Sequence, residues 1–257
     1  MFPICDHNPS GRTPWVTRAL VLLNAVIFVA YWYGLPDDRA LMRFFSDWGL
    51  VPALVSQGQG WGGFVTSMFL HGGWMHLLGN LLFLWIFGDN MEDVLGHLRF
   101  LLFYLAGGVL AAGGQVLAEP SSPVPMVGAS GAIAAVLGGY LLMFPRARVD
   151  VLLIFIVFFR IVAVPAWLVL GLWVGFQVLG GFSAAQDGVA YWAHLGGFVA
   201  GLVLVLPVWL ARGGTGGWVA AHGMPPHPPA PVSRWAMPRV RRRAPRAPSG
   251  RKPATPG

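Results

Sequence analysis

Residues 19–35 carry no charged side chain, and neither do residues 100–118, 121–145 or 189–211. A bilayer core about 30 Å thick requires about 20 such residues per helix. The helices of a soluble domain would instead show apolar stripes with polar residues between them. Composition agrees, since 56% of the 257 residues are hydrophobic and 11% are charged, against about 25% charged in a typical soluble domain. Mean hydropathy is +0.63. These features predict an all-α polytopic membrane protein.

The apolar runs predict spans over 17–35, 74–87 (extended toward 94), 99–117, 126–144, 165–180 and 189–210. The first ends in Tyr31, Trp32 and Tyr33, an interfacial aromatic belt, and lacks a small-residue cleavage site. It is expected to be retained. The mixed loop 36–73 carries Asp37, Asp38, Arg39, Arg43 and Asp47 and is expected to lie partly embedded in the interface. Arg160 and Pro165 break the run 149–179, which leaves 151–159 as a short packed or interfacial segment.

Three regions follow: a cytoplasmic segment 1–16, a six-helix membrane domain 17–212, and a Pro-rich tail 213–257 expected to be disordered. That tail holds Arg239, Arg241, Arg242, Arg243 and Arg246 and contributes much of the +7 net charge. Such a block favours anionic lipid, and no nucleic-acid partner is expected. The positive-inside rule places Arg12, Arg18, Arg99, Arg146, Arg148, Arg212 and the tail on the cytoplasmic side, with both termini. The plasma (inner) membrane is the expected location, with the site opening to its outer face. The single Cys5 excludes a disulfide within the chain.

Polar residues inside a bilayer are costly, so they mark functional positions. Ser130 lies about four residues into the fourth span, roughly 6 Å inward at 1.5 Å per residue. His194 sits at a similar depth in the sixth span. His76 and Asn80, four apart on one helix face, do so in the second. Small residues supply the means of bringing these spans together: Gly131, Ala135 and Gly139 in one, Ala193, Gly197 and Gly201 in the other. A serine hydroxyl becomes nucleophilic when a histidine takes its proton. His76, Asn80 and the Ser130 backbone N–H are candidate donors to an oxyanion, and Gly128 and Gly131 leave the approach to that backbone open. With no acidic residue near either partner, the expectation is a Ser130–His194 dyad and no triad.

The patterns HGGWMHLLGN (71–80), GASGA (128–132) and AHLGGFVAG (193–201) together resemble the rhomboid intramembrane serine proteases, as do Thr66, Ser67, Phe69, Gly88 and Glu92. The resemblance covers about 13–212. It implies Ser130 as nucleophile, His194 as general base, and His76 and Asn80 as oxyanion donors. It also implies substrates that are transmembrane segments of other proteins, cut near the outer membrane boundary without metal or cofactor. Two departures stand out. Ala134 occupies a position where many members carry an aromatic that stacks on the catalytic histidine, so that support is either missing or supplied elsewhere, with Trp192, Phe198 and Tyr140 as the candidates. The first loop also lacks a Trp-Arg pair. His71 reads as structural, and His97, His222 and His227 have no assigned role. Asp89, Glu92 and Asp93 read as a solvated helix end near Arg99 or local backbone.

Three other functions compete. A catalytically inactive rhomboid-like binder of membrane clients would be expected to have lost the serine or the histidine. A transporter would be expected to place Asp or Glu at mid-depth. A metalloprotease built on His71, His76 and His194 would lack the H-E-x-x-H arrangement.

Overall fold

The computed structural model describes residues 2–8, 10–155, 158–183 and 188–221. Strand β1 (Phe2–Asp6) precedes helix α1 (Trp15–Gly34). The first loop folds into α2 (Asp38–Trp48), α3 (Pro52–Ser56), α4 (Gly63–Thr66) and a 3-10 turn (Ser67–Phe69). Long helices α5 (Trp74–Leu95) and α6 (His97–Ala118) follow, then α7 (Ser130–Met143). Strands β2 (Arg148–Phe155) and β3 (Phe158–Pro165) lead to α8 (Ala166–Gly181), α9 (Tyr191–Ala211) and α10 (Gly214–Ala220).

By length and composition α1, α6 and α9 can each cross a membrane. The pair Gly63–Phe69 and Trp74–Leu95, bent by 94°, makes a fourth candidate, and α7 and α8 are shorter apolar helices.

An exclusively helical chain is not what forms. β1, β2 and β3 make an antiparallel sheet in that order, with Arg148 opposite Pro165 and Val149 opposite Val164. The segment expected to be short and packed is thus a hairpin. Val149, Val151, Ile161, Val162 and Val164 are β-branched and suit a pleated backbone. Pro165, read correctly as a break, ends the hairpin and caps α8.

The helices meet through small residues, as the seam pattern predicts. A Cβ on Gly197 would collide with the carbonyl of Gly131, and one on Gly201 with the carbonyl of Ala135. On the other side of α7, a Cβ on Gly107 of α6 would strike the Ala135 side chain. Helix α7 is accordingly the buried centre, with Ala132 through Tyr140 all buried.

The first loop packs against the segment that leads into α7. Leu50 and Met126 exchange backbone hydrogen bonds of 3.0 and 2.7 Å, and the N–H of Gly128 donates to the Ser67 carbonyl at 2.9 Å. These bonds fix the turn that presents Ser130.

At the opposite end, Glu92 is buried, contrary to the reading of a solvated helix end. Its carboxylate accepts from the N–H groups of Val16 and Thr17 at 2.9 and 2.8 Å and from the Thr17 hydroxyl at 2.7 Å. It also meets Nδ1 of His97, a residue given no role above. Asp93 pairs with Arg12 and the Gly11 N–H. In the region expected to be a featureless tail, α10 instead packs back: the Trp218 indole donates to the Leu142 carbonyl at 2.9 Å and lies edge-on to Trp209. The rest of that tail, with His222 and His227, lies outside the described residues.

Candidate active site

Ser130 is the first residue of α7, after a turn in which Gly128 adopts φ 134°. No side chain caps this helix end. Its first backbone bond runs from the Ile133 N–H to the Ala129 carbonyl, so the N–H of Ser130 has no partner within the helix.

His194 enters from α9. Its Nε2 lies 2.8 Å from Ser130 Oγ, a distance suited to transfer of the hydroxyl proton. The close α7–α9 seam makes this approach possible, because Gly197 sits one turn beyond His194 against the Gly131 carbonyl. Helix α6 contributes as well: Gln115 Oε1 accepts from the Ala193 N–H at 3.1 Å and so fixes the start of α9.

His76 reaches the same place from α5. Its Nδ1 accepts from the Gly72 N–H at 3.3 Å, which leaves Nε2 as the protonated nitrogen of the neutral ring. That Nε2 would lie 2.7 Å from a Cβ placed on Gly128, and Ser130 Oγ would lie 3.4 Å from the same point. Gly128 therefore keeps open a small space between a ring N–H and the nucleophile. Asn80 shares the His76 face, but its Nδ2 donates back to the His76 carbonyl at 2.9 Å. His71 is fully buried, exchanges backbone hydrogen bonds with the Tyr31 hydroxyl, and lies edge-on to His76 with ring centroids 5.2 Å apart. It lies at the junction of the first loop with α5. Among the described residues, no three His, Cys, Asp or Glu side chains lie together as a ligand set.

Two residues of α8 went unassigned in the sequence. Gln177 Oε1 lies 2.7 Å from His194 Nδ1, and the Trp173 ring lies 5.8 Å from the imidazole at 37°. The aromatic beside His194 is thus Trp173. Of the three expected candidates, Phe198 touches Trp173, Trp192 packs on Phe182, and Tyr140 bonds Asp6. A lone glutamine in an otherwise hydrocarbon helix is the signal that would have found it, because a buried amide needs partners. Beside the dyad opens a cavity of about 530 Å³ lined by Phe176, Gln177, Leu179, Val189, Tyr191 and His194.

A membrane-type helical bundle carrying a paired serine and histidine at the head of a buried helix defines the class. The Rhomboid domain family model matches residues 57–211, more than half of the chain, so this protein belongs to the rhomboid family and is an integral membrane protein. It is similar to the rhomboid protease GluP of Bacillus subtilis, 32% identical over 165 residues, which cover 64% of this chain and 29% of that protein. Similarity to the mitochondrial rhomboid protein 1 of Saccharomyces cerevisiae is 32% identity over 148 residues, covering 54% and 39% of the two chains. The chloroplastic rhomboid-like protein 11 of Arabidopsis thaliana is 36% identical over 191 residues, covering 72% and 62%. The chain spans well under half the length of the Bacillus and yeast relatives.

Proposed function

We propose that this protein is an intramembrane serine endopeptidase that cleaves transmembrane segments of other proteins near the outer membrane boundary. In this reading α1, α5, α6, α7, α8 and α9 are six spans, both termini are cytoplasmic, and the site opens to the outer face. Ser130 Oγ attacks the scissile carbonyl carbon while His194 Nε2 takes its proton. The carbonyl oxygen becomes an oxyanion in the space kept by Gly128, facing His76 Nε2–H and the Ser130 N–H, with Asn80 Nδ2 as a further donor. The imidazolium returns its proton to the leaving amine, and water then releases the acyl group by the reverse sequence.

The observation that carries the reading is the 2.8 Å approach of His194 Nε2 to Ser130 Oγ. Purified protein in liposomes, given a helix-destabilised transmembrane substrate, is expected to cleave it and to react with a fluorophosphonate at Ser130. Ser130→Ala and His194→Ala are expected to do neither. Cleavage by Ser130→Ala at the wild-type rate would overturn the mechanism. A wild type that binds the substrate, leaves it intact and ignores the probe would instead be an inactive client-binding rhomboid-like protein.

A further inference from the structure

Apart from its two indoles, Gln177 is the only polar side chain in the sixteen residues of α8, and it is 8% exposed. Burying an amide without partners costs about 1–3 kcal/mol, so the groups that satisfy it are informative. Both ends are engaged: Nε2 lies 3.4 Å from the Trp173 carbonyl, and Oε1 lies 2.7 Å from His194 Nδ1. A backbone carbonyl can only accept, so the NH2 end must face Trp173 and the oxygen must face the ring. Nδ1 of His194 therefore carries the hydrogen. Nε2 is left with its lone pair, 2.8 Å from Ser130 Oγ. The protonation pattern of the dyad is thus set from the backbone of α8.

Geometry reinforces this. Trp173 sits one turn before Gln177 on the same helix, with its ring against the imidazole. The amide fixes where one nitrogen points, and the indole limits how far the ring can swing.

We propose that Gln177 is the positioning residue of this centre, holding His194 as the Nδ1–H tautomer with Nε2 aimed at Ser130, and that Trp173 backs the ring. The inference rests on the dyad reading above. A neutral amide suits the location. A carboxylate there would draw the imidazole toward its protonated form, whereas the amide oxygen accepts without a charge. Among the described residues the groups around the ring are likewise uncharged: Ser130 on α7, Gln115 of α6 behind Ala193, Trp173 and Gln177 on α8, and Tyr191 on its own helix. His76 on α5, with its Nε2 across the Gly128 space from Ser130, is a further titratable group at the site.

Two substitutions separate positioning from packing. Gln177→Leu keeps the volume and removes the acceptor. It is expected to lower kcat and the rate of fluorophosphonate labelling about 10- to 100-fold, with KM and the unfolding midpoint near wild type. Gln177→Glu keeps an acceptor oxygen at the same reach. It is expected to retain most of kcat and to shift the acid limb of the rate profile to higher pH, because a carboxylate favours the imidazolium. If the leucine variant fails to fold, Gln177→Asn replaces it: its amide is one methylene short of the ring and is expected to be slow where the glutamate is not. Leucine and wild-type rates that agree would overturn the proposal, as would a glutamate variant as slow as leucine with an unmoved acid limb. A wild type that neither labels nor cleaves would overturn the dyad reading instead.

Discussion

The smallest residue near the site has the most exacting position. Gly128 combines φ 134° with a site where a methyl group would stand 2.7 Å from His76 Nε2. Gly128→Ala is expected to reduce cleavage and probe labelling at least about 100-fold, since it blocks the space for a reacting oxygen and the loss of one oxyanion donor alone costs about that much. Labelling at the wild-type rate would show that the oxyanion forms elsewhere. Ser130, His194 and His76 were legible in the sequence because polar groups at one depth of three apolar runs have few reasons to coincide. Gln177 carried a signal as the lone amide of α8, but its partner was not legible, because the sequence alone does not say which face of α8 turns toward α9. Asn80 was legible as a residue but not in its hydrogen bond, since an asparagine in a helix can turn back onto the carbonyl four residues earlier.

Among the elements, α1 shows how a helix end is satisfied from a distance. Its N-cap is Pro14, which provides no side-chain acceptor, and Glu92 on α5 accepts from the N–H groups of its first turn instead. The carboxylate also complements the positive end of the helix dipole. Glu92→Ala is expected to cost about 2–4 kcal/mol and lower the unfolding midpoint by about 5–10 °C; an unchanged midpoint would remove Glu92 as the cap. The α7–α9 seam is the other junction on which the elements depend. Gly201→Val would force a branched side chain against the Ala135 carbonyl and is expected to cost about 1–3 kcal/mol. Small residues at four-residue spacing made this seam readable in advance. The hairpin was not, since a short apolar run suits a strand as well as a helix, and its pairing with β1 links segments far apart in the chain.

At the scale of the whole molecule, β1 ties the start of the described chain to α5, α7 and the hairpin. Asp6 Oδ2 accepts from the Tyr140 hydroxyl at 2.8 Å and from Asn90 Nδ2 at 3.0 Å, while His7 meets Asp150 at 2.8 Å. Burial, with Asp89 nearby, raises the Asp6 carboxyl to about 7. Because the folded chain holds this proton more tightly than the unfolded one, docking of the strand is strongest below about pH 4 and weakens as pH rises to about 7. Protection of the β1 amides against hydrogen exchange is expected to fall between pH 5 and pH 8 in wild type and to stay level in Asp6→Asn. A level wild-type response would exclude Asp6 as the cause. The orientation is tested by Pro123→Cys in a Cys5→Ser background, which is expected to react with an impermeant thiol reagent from outside intact cells.

The middle strand of the sheet is β2, flanked by β1 on one side and β3 on the other. A ribosome delivers chain from the N-terminus onward, so β1 emerges long before the hairpin that receives it. Most of the bundle must thread into lipid in the interval. A strand made before four long helices is therefore seated only after them, once the hairpin has been delivered.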